Sequence, residues 1–382
     1  MPIVLYLAGA FFLPIGIGAL HYNLYWVLGE GSDIPTVVAR EVYAMDKIRN
    51  LVARNQLKTF FLLTYVITWG LWIPFTRSYL QGGFFAGIFI GWGLFGPALA
   101  GIFITWVINP ERNDKSRKKP LLVFCMGLVL SVLVFILNTR KLVDLSWTTE
   151  IMIGVIFMGL MVAIPPAFVI SSAFTVNQKV RIYLHSLIKP RGSLVYYLIA
   201  LFVPPFLFWG GSLISDVLGQ TAYSNPSPLI GWNAVHVLSI AFIYHFFFAN
   251  SLGEEVGWRG FALPRLQARY SPLVASLIIA LMWFAWHLPL KWMTPDTLPH
   301  LFYALNFIPQ SIFLTWIYNR THGSILAVGI AHVSNNIGGE ILFPITNSWL
   351  IVTFVAAIVL ILIDHMWDKE YHGQFLESPQ CH

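Results

Sequence analysis

Apolar runs of about 20 residues, the length a helix needs to cross the hydrocarbon of a bilayer, recur along almost the whole chain. That feature leaves little choice of fold. The runs lie near Ile3–Leu28, Thr59–Tyr79, Phe84–Ile108, Leu121–Asn138, Ile151–Phe174, Leu194–Ile214, Ala234–Glu255, Pro272–Pro289, Leu301–Tyr318, Ile325–Gly339 and Trp349–Met366. A segment that leaves water must satisfy its backbone within itself, which at this length means helix. Only 10% of the 382 residues are charged and the mean hydropathy is +0.70, whereas soluble domains carry about 25% charge. The expectation is an all-α, polytopic integral membrane protein of about 11 (10–11) transmembrane helices. The first run is the weakest member, because Pro14 and His21-Tyr22-Asn23 interrupt it. With no Lys or Arg before it, it does not read as a signal peptide.

Charge gives an independent test, since Lys and Arg gather on the cytoplasmic side of a membrane. With the N-terminus outside, the cytoplasmic segments are 29–58, 109–120, 175–193, 259–271, 319–324 and the tail. All but four of the 23 Lys and Arg fall there; Arg77, Arg140, Lys141 and Lys291 do not. The expected location is the plasma membrane, multi-pass, N-terminus outside and C-terminus cytoplasmic. The net charge of +6 then faces anionic headgroups, so the lipid bilayer is the partner and no nucleic acid is needed. Cys125 and Cys381 are too few and too far apart for a disulfide framework. Cys381 is also not placed as a prenylation box. An amphipathic helix is expected near Val37–Val52.

Charge inside hydrocarbon costs several kcal/mol, so an intramembrane ionisable group is by default a functional candidate. Three groups qualify: Glu254-Glu255 with Arg259, His287, and His332 with Asn336. Glu255 and Arg259 are spaced i,i+4 and can pair, while Glu254 points about 100° away on a helix. An un-neutralised carboxylate in a low-dielectric site is a candidate general base. His332 and Asn336, also i,i+4, project together as two donors. Ser271-Pro272 reads as a helix start, Ser as N-cap and Pro at N1. Glu254 and His287 then stand at equal depth, roughly 24 Å from the turn if both arms are α-helical. His332 and Asn336 reach that level if the Arg265–Pro272 hairpin projects about 10 Å into the cytoplasm. A polar site is expected in the cytoplasmic half of the membrane. His236, His245 and the aromatic run Trp283–Trp292 read as packing.

At these residues the chain resembles the CPBP family, the CAAX prenyl endopeptidases and bacteriocin-processing enzymes also called Abi proteins. The motifs are Glu-Glu-x-x-x-Arg at 254–259, aromatic-x-x-x-His at 283–287 and His-x-x-x-Asn at 332–336, in order on successive apolar segments. Gly-Trp-Arg-Gly-Phe-x-Leu-Pro-Arg-Leu-Gln at 257–267 and Trp-His-Leu-Pro at 286–289 resemble a prokaryotic branch. One departure stands out: Trp283 occupies a position where the family usually has Phe. The resulting division is an N-terminal helical scaffold 1–190, a CPBP-like protease core 191–366 with its motifs in 234–340, and a short cytoplasmic tail 367–382.

The resemblance implies hydrolysis of a peptide bond in a membrane-associated, including prenylated, protein or peptide. Water held between Glu254 and His287 would attack, His332 and Asn336 would stabilise the oxyanion, and Glu255 with Arg259 would give structural support. Family members are often labelled metalloproteases, and Glu254, His287 and His332 would form a His₂Glu zinc site. The His-Glu-x-x-His motif is absent, and no metal or other cofactor is the favoured expectation. The alternative reading is a proton-coupled secondary transporter with a buried Glu/His relay, though no internal repeat supports it.

Overall fold

The computed structural model describes residues 36–110, 118–142, 148–224, 231–248, 251–293 and 299–369. They are helical almost throughout, and among them the only strand-like feature is one isolated bridge, Ser224 to Ile345. In chain order the α-helices are α1 Thr36–Arg54, α2 Gln56–Leu80, α3 Phe84–Gly93, α4 Gly96–Ile108, α5 Lys118–Leu142, α6 Thr149–Ser172, α7 Gln178–Ile188, α8 Leu194–Val217 and α9 Gly231–Phe248. A π-helix, Ser251–Ala262, is the next described element and leads into α10 Leu263–Gln267. Next come α11 Pro272–Met293, α12 His300–Arg320, α13 Ile325–Ile337, a short π-helical turn Gly338–Leu342, and α14 Asn347–Ile363.

Six of these helices are long and apolar enough to cross a membrane, and eight spans result if two bent pairs each count as one. The pairs are α3 with α4, bent by 54°, and α9 with the π-helix and α10, bent by 52°. This is a polytopic helical membrane protein, with fewer spans passing that test than the eleven expected. The difference has physical causes. Ile3–Leu28 lies outside the described residues. The His300–Arg320 helix carries Asn306, Gln310 and Asn319 on its length, which lowers its apolarity. Asn347–Ile363 is apolar but only 17 residues long. The amphipathic helix expected near Val37–Val52 is α1, with Tyr43, Ile48 and Leu51 exposed.

The core gathers around the π-helix, which packs against α4, α9 and α13. Its glycines make the approach to α4 possible. A Cβ on Gly253 would stand 2.5 Å from the Leu94 carbonyl oxygen, and one on Gly257 would stand 2.4 Å from Pro97 Cβ. These are Gly residues four apart, the small-xxx-small spacing that lets helix backbones meet in a membrane. Ser251 Oγ donates to the Gly329 carbonyl on α13 (3.0 Å) and Tyr183 of α7 donates to the Val256 carbonyl (2.5 Å). The helix start expected at Ser271 is capped, Val274 N–H donating to Ser271 Oγ (3.4 Å), and Ser324 caps α13 in the same way through Ala327 N–H (3.1 Å).

Gly257→Ala is therefore expected to force α4 and the π-helix apart and to destabilise by about 1–3 kcal/mol, as overpacking does. Gly210→Ala, where nothing lies within 4 Å of the added carbon, is expected to be neutral. Thermal unfolding of both variants in detergent checks the contrast.

Candidate functional site

Two adjacent carboxylates on one helix cannot share a direction, and here they serve different partners. Glu254, Glu255 and Arg259 are fully buried. Arg259 Nη1 donates to both oxygens of Glu255 (2.9 and 3.1 Å), and its Nη2 donates to Ser311 Oγ on α12 (3.3 Å). His332, 2% exposed, sits 2.7 Å by its Nδ1 from Glu255 Oε1. Glu255 thus bridges Arg259 and His332, a wider engagement than the ion pair expected from spacing alone. Arg259, counted in the sequence as a cytoplasmic-loop charge, belongs to this buried network.

Glu254 turns the other way. Its Oε2 accepts from the indole Nε1–H of Trp283 (2.5 Å), and its Oε1 is buried without a hydrogen-bond partner. Trp283 lies one helical turn before His287 on α11.

His287 Nδ1 lies 2.9 Å from the Trp283 carbonyl oxygen. A carbonyl only accepts, so Nδ1 carries a proton and Nε2 is the ring's other polar atom. Aromatic rings wall this histidine, with Trp286 at 4.6 Å, Phe307 at 5.0 Å and Trp72 at 6.2 Å between centroids. In the same way Nδ1–H of His332 donates to Glu255, leaving Nε2 as the ring's remaining polar atom. Trp283 joins the groups, its ring 5.2 Å from His332, 6.0 Å from His287 and 4.8 Å from the Arg259 guanidinium carbon. Asn336, one turn beyond His332, has a buried Nδ2 without a partner.

Every residue singled out in the sequence as catalytic or supporting lies in or beside this cluster. The sequence reading passed over Trp283 as a hydrogen-bond donor, because an indole in an aromatic run looks like packing. It passed over Ser311, Tyr65, Trp69 and Trp72 for want of any local pattern. His245, read as packing without a partner, has its Nε2 3.5 Å from Glu340 Oε2. That partner lies in the π-helical turn beyond Asn336, too distant in sequence to be paired by spacing.

Histidines held by one ring nitrogen, with the other free, suit a metal or a water alike. Among the described residues no three His, Cys, Asp or Glu side chains come together as a metal-holding set. Beside His332 a cavity of about 330 Å³ opens between α8, α12, α13 and α14, its wall including Val203, Gln310, Leu314, Asn335 and Leu360.

Residues 236–338, which carry Glu254, Glu255, Arg259, Trp283, His287, Ser311, His332 and Asn336, match the family described as type II CAAX prenyl endopeptidase Rce1-like. Over 123 residues the chain is 34% identical to a CAAX prenyl protease 2 of Methanococcus maripaludis, covering 29% of this chain and 45% of that protein. The chain spans less than half the length of that curated relative. The segment that bears the site is thus the part of the chain that is similar to these proteases.

Removing one member of a buried charge network leaves the others uncompensated, at a cost of about 3–5 kcal/mol. Arg259→Met is expected to lose that much stability in thermal unfolding. Arg49→Met, which breaks a part-exposed pair with Asp46 (3.2 Å), is expected to lose less than about 1 kcal/mol.

Proposed function

We propose that this chain is an intramembrane endopeptidase that hydrolyses a peptide bond of a membrane-associated protein or peptide, prenylated substrates included. The observation that carries the reading is a pair of buried polar atoms without partners, the acceptor Glu254 Oε1 and the donor Asn336 Nδ2. Each unmet group costs about 1–3 kcal/mol, and a substrate carbonyl with its attacking water offers what both lack. The family match and the relative's name favour the same activity.

In this reading water lies between Glu254 Oε1 and His287 Nε2. Glu254 removes a proton as the water oxygen bonds to the scissile carbonyl carbon. The carbonyl oxygen becomes an oxyanion and accepts hydrogen bonds from Asn336 Nδ2 and His332 Nε2. For His332 to donate there while its Nδ1–H is held by Glu255, the ring must be an imidazolium. Charge then balances. Arg259 and His332 are positive and Glu254 and Glu255 negative before attack; afterwards Glu254 is neutral and the oxyanion carries its charge. The buried cluster stays neutral throughout, which matters where uncompensated charge costs most. Glu254 finally gives its proton to the departing nitrogen as the C–N bond breaks and the carbonyl re-forms. The cavity beside His332 takes the apolar part of the substrate. The N-terminus lies outside and the C-terminus in the cytoplasm, as the basic segments indicate.

Glu254→Gln keeps the shape and removes the base, so cleavage of a membrane-tethered peptide should fall by at least about 10²-fold with insertion and folding intact. Near-normal cleavage would remove Glu254 from the chemistry. Proton flux dependent on Glu254, with no cleavage, would favour a transporter instead.

Asn336→Ala and His332→Ala should each lower kcat by about 10²-fold, the effect of a lost oxyanion donor, with little change in KM. A rise in KM with kcat intact would move them to substrate recognition. Protein stripped with a strong chelator should keep its activity, since the attacking water is activated by side chains. Loss on stripping and return with zinc would replace this mechanism with a metal-held water.

A further inference from the structure

The sequence alone gives Trp283 no role beyond packing, and the resemblance makes it an exception, because the Phe usual at that position has no polar hydrogen. Its surroundings are those of a donor held in place. The indole is 2% exposed. One face carries the Arg259 guanidinium at 4.8 Å, and the Phe307 ring meets it at 5.0 Å and 83°. The backbone on either side is fixed from α2: Tyr65 OH donates to the Met282 carbonyl (2.7 Å) and Trp69 Nε1–H to the Trp286 carbonyl (3.0 Å). Tyr65 and Trp69 are one turn apart on α2, as Met282 and Trp286 are on α11. The helix segment carrying Trp283 is thus clamped at both ends of a single turn.

A clamped donor has a directional effect on its acceptor. A glutamate carboxylate rotates about its last bond and offers either oxygen, and an unfixed one spends part of its time misdirected. The Nε1–H of Trp283 occupies Oε2 and leaves Oε1 open. We propose that Trp283 is a positioning residue: its indole N–H holds Glu254 by one oxygen so that the other is presented to the attacking water. The same residue's carbonyl fixes the proton of His287 on Nδ1 and turns Nε2 outward. One tryptophan therefore orients both groups that flank the water, through its side chain for one and its backbone for the other. This role rests on the reading of Glu254 as the base.

Trp283→Phe tests it, because an aromatic ring stays at the position while the N–H is lost. A hydrogen bond to a charged group contributes about 1.5–3 kcal/mol, so kcat of the folded enzyme should fall by roughly 10-fold or more with KM nearly unchanged, beside the lower thermal midpoint that the smaller ring and the lost bond bring. In a Glu254→Gln background the same substitution should cause no further loss of kcat. A second measurement does not depend on activity. In protein labelled with ¹⁵N-tryptophan in detergent, the indole N–H signal absent from Trp283→Phe identifies Trp283. Glu254→Gln should move that signal more than any other of the 15 indoles.

An indole signal indifferent to Glu254→Gln would overturn the contact. A Trp283→Phe protein with full kcat, or with its loss confined to KM or stability, would overturn the positioning role and leave Trp283 as a wall of the site. Wild-type protein that cleaves no tethered peptide, with the indole response intact, would overturn the hydrolytic reading and the catalytic meaning of the contact with it.

Discussion

The interaction on which the rest depends is the bridge that Glu255 makes between Arg259 and His332. Three ionisable groups on two helices are fully or almost fully buried in a protein whose surroundings are hydrocarbon. Taking such charges from water costs several kcal/mol each, and only mutual pairing with good geometry offsets that cost. The pairing also fixes structure. It joins the π-helix to α13, and the Arg259–Ser311 bond extends the connection to α12. Because Glu255 takes the contacts of Arg259 and His332, its neighbour Glu254 makes no direct ion pair and faces Trp283 with one oxygen free. The two adjacent carboxylates thus have different partners.

Close backbone approach is the second constraint. Gly253 and Gly257 let the π-helix lie against Leu94 and Pro97 with no room for a Cβ, and this contact sets the depth at which Glu254 emerges. π-Helical geometry is rare and recurs at functional sites. From it Glu254 reaches Trp283.

Much of this was legible in the sequence, and the exceptions share a cause. Apolar run length gave helices in a membrane, since hydrocarbon permits little else. Spacing of i,i+4 gave Glu255 with Arg259, and His332 with Asn336, because those pairs lie on single helices. Rules of spacing do not reach across helices. They could not show that Glu255 also holds His332, 77 residues away, or that Glu340 stands beside His245. Nor could they show that Trp72, in the stretch read as scaffold, packs against His287. The π-helix escaped because no pattern separates it from an α-helix at this length. Fewer helices pass a strict test of length and apolarity than there are apolar runs, because His300–Arg320 carries polar residues and Asn347–Ile363 is short.

The central claim is that side chains alone hold the attacking water, between Glu254 Oε1 and His287 Nε2. A structure of the protein in lipid nanodiscs, at a resolution that shows ordered water and with diffraction or scattering recorded at the zinc edge, tests it most directly. The account predicts one ordered water within hydrogen-bond distance of both atoms and no anomalous signal beside them. A metal ion bound by Glu254, His287 and His332, or a dry gap with Glu254 Oε1 turned onto another protein donor, would contradict it.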